Sequence, residues 1–269
     1  MKLLSRLYIA LIVLFLYAPV AVMILFSFNA APSVWVFGGF SARWYEELAT
    51  DTVMLEALKH TLILAILSAA VSTVIGTAAA VGIEALKKKL TKKAVMSVTQ
   101  IPMMNADIVT GISLMLLFVF IGKLFGTRES LGFFTVLIAH ITFNLPYVIL
   151  SVIPKLRQTD AHLSEAALDL GCTPLGAFFK VILPSISTGI LTGFIMAFTL
   201  SLDDFVISYF TCGTYQTLPI VIYTMTKRQI KPDTYALSTL IFITVFVLLI
   251  LYNVLQTKSE KRKTTVAER

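Results

Sequence analysis

Six stretches of this chain are apolar for about 20 residues or more, the length a helix needs to cross the hydrocarbon of a bilayer. They are residues 7–28, 58–83, 94–121, 131–153, 186–210 and 236–255. A backbone in lipid must satisfy its own N–H and C=O groups, so a segment that crosses as one continuous apolar run is helical. Composition agrees. The chain has 14% charged residues and a mean hydropathy of +0.87, where a soluble domain carries about 25% charged residues. The expected fold class is an all-α membrane protein, with residues 1–269 forming a single transmembrane domain of six helices. The first stretch is longer than the apolar core of a secretory signal, about 7–15 residues, and no A-x-A-like site follows it, so an uncleaved helix is expected.

The net charge of +7 does not describe a nucleic-acid surface. Fifteen of the 22 basic residues gather in four places: Lys2 and Arg6, Lys87 to Lys93, Lys155 with Arg157 and Lys180, and Lys258 to Arg269. All four fall on one side of a six-helix topology. The positive-inside rule makes that side, and both termini, cytoplasmic. The lipid bilayer is thus the first expected partner, and no nucleic acid is expected. Cys172 and Cys212 fall on opposite sides, so no disulfide between them is expected.

Enzymatic motifs are missing. Beside Gly122-Lys123, Leu117 and Leu124 stand where a phosphate-binding loop needs Gly and Ser/Thr, so no nucleotide site is expected. There is no H-E-x-x-H, no C-x-x-C and no G-x-S-x-G. No catalytic residue and no metal site is expected.

Residues 154–185 interrupt the greasy pattern with charge, small residues, Gly and Pro. Thr159 or Asp160 is placed to cap a short helix through Leu163, Ala166, Ala167 and Leu170, with Gly171 ending it at positive φ. Thr173-Pro174 reads as an N-cap followed by Pro at the first helical position, and Pro184 opposes an unbroken continuation into the fifth span. A helix–Gly–helix elbow on the cytoplasmic face results. Ala166 and Ala167 would let another surface come close.

Charges inside the spans narrow the reading. An ionised Asp near mid-bilayer costs roughly 2.5–3.5 kcal/mol on insertion scales, so Asp107 should face protein or water, beside a break near Pro102 and Asn105. Asp203 and Asp204 lie about 100° apart around a helix, so one is expected to face a pathway while the other caps, pairs or reaches the outer interface. Tyr209 and Tyr223 offer aromatic faces to a cation. His140 and Asn144, beside Pro146, are expected to pack and support a kink. Trp44 and Tyr45 read as an interfacial aromatic anchor. Small residues recur every fourth position at Ser68, Ser72, Gly76 and Ala80, and at Gly189, Gly193, Ala197 and Ser201; two such stripes suggest a partner membrane subunit.

Glu165-Ala166-Ala167, Gly171 and Ile182-Leu183-Pro184 are similar to the EAA-x3-G-x9-I-x-LP loop of ABC-importer permease subunits, here with Ile, Leu and Pro contiguous. NADIVTGISLMLLF (105–118), HITFNLPYV (140–148) and FTLSLDDFVIS (198–208), with GFSARWY, resemble the second membrane subunit of the spermidine/putrescine branch. The resemblance implies the type I importer permease (MetI-like) fold and a coupling helix carried by Glu165, Ala166, Ala167, Asp169, Gly171, Leu183 and Pro184. It also implies a bacterial cell (inner) membrane, a paralogous permease subunit as heterodimer partner, two copies of a cytoplasmic ABC ATPase and an extracytoplasmic polyamine-binding protein. ATP and Mg would be held by the ATPase, leaving this chain without a cofactor. A permease for Fe(III), sulfate or an amino acid is the nearest alternative, and an ion-gradient transporter using Asp107 and His140 a more distant one.

Overall fold

The computed structural model describes residues 2–31, 36–126, 131–160, 162–228, 234–244, 246, 247 and 250. The described residues are helical apart from loops and one isolated antiparallel bridge, Asn29 to Phe40. They fall into two compact units, Met1–Glu56 with Val221–Arg269, and Ala57–Ile220.

In the first unit, α1 (Lys2–Ser27) leads into a loop and α2 (Arg43–Thr50). The loop is built on Asn29, whose Oδ1 accepts from the N–H groups of Ala31 (3.1 Å) and Gly38 (2.8 Å) while its Nδ2 donates to Val36 O. Trp44 is buried, and its indole N–H donates to Asn29 O at 2.6 Å. The Tyr45 and Ser27 hydroxyls share a 2.7 Å hydrogen bond. The pair expected as an interfacial anchor therefore fastens α2 to the end of α1. An indole N–H that finds a protein carbonyl no longer needs the wet headgroup layer.

The second unit holds most of α3 (Thr52–Ala85), then α4 (Lys89–Met104), α5 (Asp107–Leu124) and α6 (Phe133–Gln158). The elbow follows as α7 (His162–Asp169), α8 (Pro174–Ala177), a π-turn at Phe178–Ile182 and α9 (Leu183–Ser185). After it come α10 (Ser187–Asp203), α11 (Val206–Thr211) and the start of α12 (Leu218–Arg228). Helix α13, Thr234–Thr244, belongs to the first unit.

Helix α6 is the axis of the second unit. Val148, Ile149, Val152 and Ile153 are buried with Ala69, Ala80 and Ile83 of α3, and with Ile186 and Ala197. Val148 Cγ1 lies where a Cβ on Gly76 of α3 would be 2.7 Å away and one on Gly193 of α10 3.2 Å away. A Cβ on Gly189 would meet Ser151 O at 3.0 Å. Both small-residue stripes thus contribute to packing inside this chain. With α6 using both, neither argues for a second membrane subunit. Glu84 at the end of α3 holds Lys92 Nζ of α4 at 2.5 Å and Arg157 Nε of α6 at 3.4 Å.

Among the described residues, four helices are long and apolar enough to cross a membrane: Arg6–Ser27, Thr52–Ala85, Asp107–Leu124 and Phe133–Gln158. Pro174–Ser185 and Ser187–Asp203 make a fifth if taken together, bent by 68°. The stretch expected as one span at 94–121 is two helices, parted at Asn105–Ala106, where Asn105 and Ala106 are extended (ψ 148° and 134°). The stretch at 186–210 is likewise parted at Asp204–Phe205. The expected last span, 236–255, lies partly outside the described residues, as does the basic tail.

Candidate functional site

Two helix breaks fall at one level of the second unit. Helix α6 runs antiparallel to α10 and α11, pairing Ser151 with Gly189 and Gly193, Asn144 with Ser201, and His140 with Ser208. Helix α5 packs along α11, with Gly111 so close that a Cβ added to it would lie 3.5 Å from Ile207 Cα and 2.9 Å from Phe210 Cδ2. Asp107 is the first residue of α5, one turn before Gly111; Asp203 is the last residue of α10, just before the break that precedes α11. Both carboxylates are exposed. Tyr147 of α6, its ring 5.5 Å from that of Phe143, lies about one turn beyond Asn144.

Asp204 is different. Its side chain is only 9% exposed. Oδ1 accepts from Ile207 N at 3.3 Å and Oδ2 from Ser208 N at 2.8 Å, so the carboxylate caps α11. His140 of α6, buried, places Nε2 3.4 Å from Asp204 Oδ2 and 2.9 Å from Ser208 Oγ. One turn along α6, Asn144 Nδ2 donates to Ser201 Oγ at 2.7 Å, and Ser201 shares a 2.9 Å hydrogen bond with Ser68 of α3. Asp204 thus caps and pairs, one of the roles expected for a member of this adjacent pair.

Tyr209 is half exposed on α11, with its ring 5.5 Å from that of Phe205. Tyr223 belongs to the other unit, where Lys227 Nζ lies 4.7 Å over its ring. Sequence reasoning passed over Tyr147 and Ser208. Tyr147 stands in the quoted run HITFNLPYV, seven residues after His140, and an aromatic one residue beyond Pro146 is the signal that was available.

The elbow carries its own stop and start chemistry. Asp160 Oδ1 accepts from His162 N at 3.0 Å at the head of α7. At its end Gly171 has φ +88°, Gly171 N donates to Leu168 O at 2.9 Å, and Cys172 N donates to Ala167 O at 3.0 Å. Those two bonds close a Schellman turn, which needs the left-handed residue that Gly supplies. Thr173 Oγ1 then accepts from Gly176 N at 3.1 Å, with Pro174 at the first helical position. Pro184 has no N–H and its ring opposes an α-helical carbonyl four residues back; the helix answers with the π-turn, Leu183 N bonding Phe178 O. Ala167 is buried, while Glu165, Ala166 and Asp169 are exposed, as are Leu168, Leu170, Leu175 and Phe179.

The family described as "Binding-protein-dependent transport system inner membrane component" matches residues 72–265. The putrescine transport system permease protein PotI of Escherichia coli (strain K12) is 36% identical over 250 residues, covering 93% of this chain and 89% of that one. The spermidine/putrescine transport system permease protein PotC of the same strain is 36% identical over 237 residues, covering 88% and 87%. Among solved structures, a chain of a bacterial ABC transporter involved in the import of the acidic polysaccharide alginate superposes with a TM-score of 0.73 at 15% identity, covering 96% and 95%. A chain of an amino acid ABC transporter superposes with a TM-score of 0.54 at 20% identity, covering 81% and 98%. These two share the fold. Two breaks, an EAA elbow and matches over most of its length place this chain in the family of binding-protein-dependent transport system inner membrane components, the permease subunits of ABC importers.

Proposed function

We propose that this chain is one of two unlike membrane subunits of an ATP-driven importer of polyamines, spermidine or putrescine. Six spans, with both termini in the cytoplasm, would supply half of the pathway. The observation that carries the cargo is the pair of exposed carboxylates, Asp107 and Asp203, at the level where α5 and α11 begin. Relatives named for putrescine and spermidine support it. Ammonium groups leaving water need carboxylates or aromatic faces in exchange, and Tyr147 and Tyr209 lie on the helices around that level.

The elbow is the coupling element. Residues 154–185 dock on a cytoplasmic ATPase through Glu165, Ala166 and Asp169, while Ala167, expected at that surface, is buried and packs the elbow from within; the turn at Gly171 with Leu183-Pro184 turns that docking into movement of α10. The ATPase, present twice, binds ATP and Mg and performs hydrolysis; an extracytoplasmic binding protein delivers the polyamine. The switch is a two-state equilibrium biased from both faces of the membrane.

The test is ATP-dependent uptake of labelled spermidine and putrescine by vesicles holding this chain with its partner subunits, with Fe(III), sulfate and amino acids as competitors. Saturable uptake competed only by polyamines is expected. ATPase activity stimulated by another solute, without polyamine uptake, would keep the elbow and overturn the cargo.

A further inference from the structure

The two breaks leave three carboxylates at one level, and one of them is already occupied. Asp204 receives donors on both oxygens from the backbone of α11, and His140 adds a contact to Oδ2. Helix α11 has six residues, too few to hold its own conformation by helix cooperativity. Its start is therefore set by what grips it. Helix α6 grips both sides of the break: Asn144 holds Ser201 before it, and His140 holds Ser208 and Asp204 after it. His140 and Asn144 are four residues apart, so they present one face of α6 to the broken span. Asp203 lies between those two grips, at the end of α10, and its side chain is exposed.

We propose that His140 is a positioning residue for the cation site: by tying Asp204 to the start of α11 it commits that carboxylate to capping and leaves Asp203 to meet a substrate ammonium group. The inference rests on the polyamine reading above. Its chemistry is a division of labour between neighbours. A carboxylate saturated by N–H donors is a poor partner for an incoming cation, because the cation must displace hydrogen bonds made in a low-dielectric site. Asp203 at the same level holds neither the α11 N–H donors nor the His140 contact that a cation would have to displace from Asp204. Without His140, Asp204 loses a contact on Oδ2 and the start of α11 keeps only the apolar packing of Ile207 against Ala139 and Phe143 of α6, so Asp203 loses its defined position.

Two measurements on vesicles carrying the assembled importer test this. The first is spermidine uptake by His140→Ala, His140→Gln and Asp203→Asn, with the amount of assembled complex measured for each. His140→Ala should raise KM about tenfold or more with a smaller change in Vmax, and His140→Gln, which keeps an N–H donor, should recover most of that loss. Adding Asp203→Asn to His140→Ala should raise KM little further, because the two act as a unit. A KM for His140→Ala within about twofold of the parent, with the complex assembled, overturns the proposal. The second needs no substrate: a water-soluble carbodiimide, with each modified carboxyl located by fragment mass spectrometry. Asp203 should be labelled and Asp204 protected, and His140→Ala should uncover Asp204. Equal labelling of both in the parent overturns the proposal. If the parent takes up no polyamine while the labelling pattern holds, the cargo has failed and the positioning role stands.

Discussion

Gly76 of α3 and Val148 of α6 approach so closely that a Cβ on residue 76 would stand 2.7 Å from Val148 Cγ1 and 2.8 Å from its Cβ. Val is branched at Cβ and buried here, so it cannot swing away. Gly76→Ala should therefore force the two helices apart and cost roughly 1–3 kcal/mol, the usual range for overpacking. Gly82→Ala, six residues along the same helix, meets nothing within 4 Å and should be neutral or stabilising. Thermal denaturation of the detergent-solubilised complex checks the contrast. Equal melting temperatures for the two variants would contradict the packing.

Gly171 makes the opposite case, because the space around its missing Cβ is open and its backbone is not. Its φ of +88° is the only obstacle to a side chain. Left-handed backbone costs an L-residue roughly 1–2 kcal/mol, less for Asn, more for a β-branched residue. Gly171→Val should break the Schellman turn and lower the amount of substrate moved per ATP hydrolysed, while Gly171→Asn should keep most of it. Uptake and hydrolysis measured on the same vesicles give that ratio. A Val variant with the parent ratio would remove the turn from coupling.

What the sequence made legible was local. Gly171, Thr173 and Pro184 each act through their own backbone chemistry, and the elbow follows from reading them in order. Asp107 and the break before it were legible because a carboxylate in an apolar run needs a reason. The grip of His140 on Asp204 was not, because 64 residues separate them and only the antiparallel packing of α6 on α10 and α11 brings them together. The partner of Trp44 was hidden for a related reason. Composition places an indole near an interface, but cannot say that Asn29 offers it a carbonyl. The stripes on α3 and α10 were read correctly as smooth faces; their common neighbour, α6, was invisible.

Trp44 supports a prediction of its own. Its indole N–H meets Asn29 O at 2.6 Å in a buried setting. Trp44→Phe leaves that carbonyl buried without this donor, a loss of about 1–3 kcal/mol. The effect belongs to the loop between α1 and α2, so protease cleavage within residues 29–42 should speed up while cleavage of the elbow stays as in the parent. Unchanged cleavage of that loop would mean the bond holds nothing.

Asp107 and Asp203 should respond to charge more than to shape. Asp107→Asn and Asp203→Asn keep size and remove charge, and each should raise the KM for spermidine about tenfold or more, in keeping with a lost charged hydrogen bond. Spermidine carries one more ammonium group than putrescine, so its KM should rise by the larger factor. Parent kinetics in both variants would take these carboxylates out of the pathway.

The elbow also carries a titrating pair. His162 Nδ1 lies 3.1 Å from Glu165 Oε2, and that hydrogen bond, with the nearby Asp160 charge, holds the His162 pKa above the ordinary histidine value. A raised pKa means the pair is fully formed below the ordinary value, about 6.5, and is lost as pH rises through the higher folded value. Both side chains are largely exposed, so the interaction is small and screened by salt. Site-resolved modification of His162 by diethylpyrocarbonate, followed against pH, reads the midpoint directly. Glu165→Gln should move that midpoint down toward the ordinary value, and raising salt should do the same in the parent. A midpoint indifferent to both would show that Glu165 is free of His162, and would leave its carboxylate open to an ATPase at every pH.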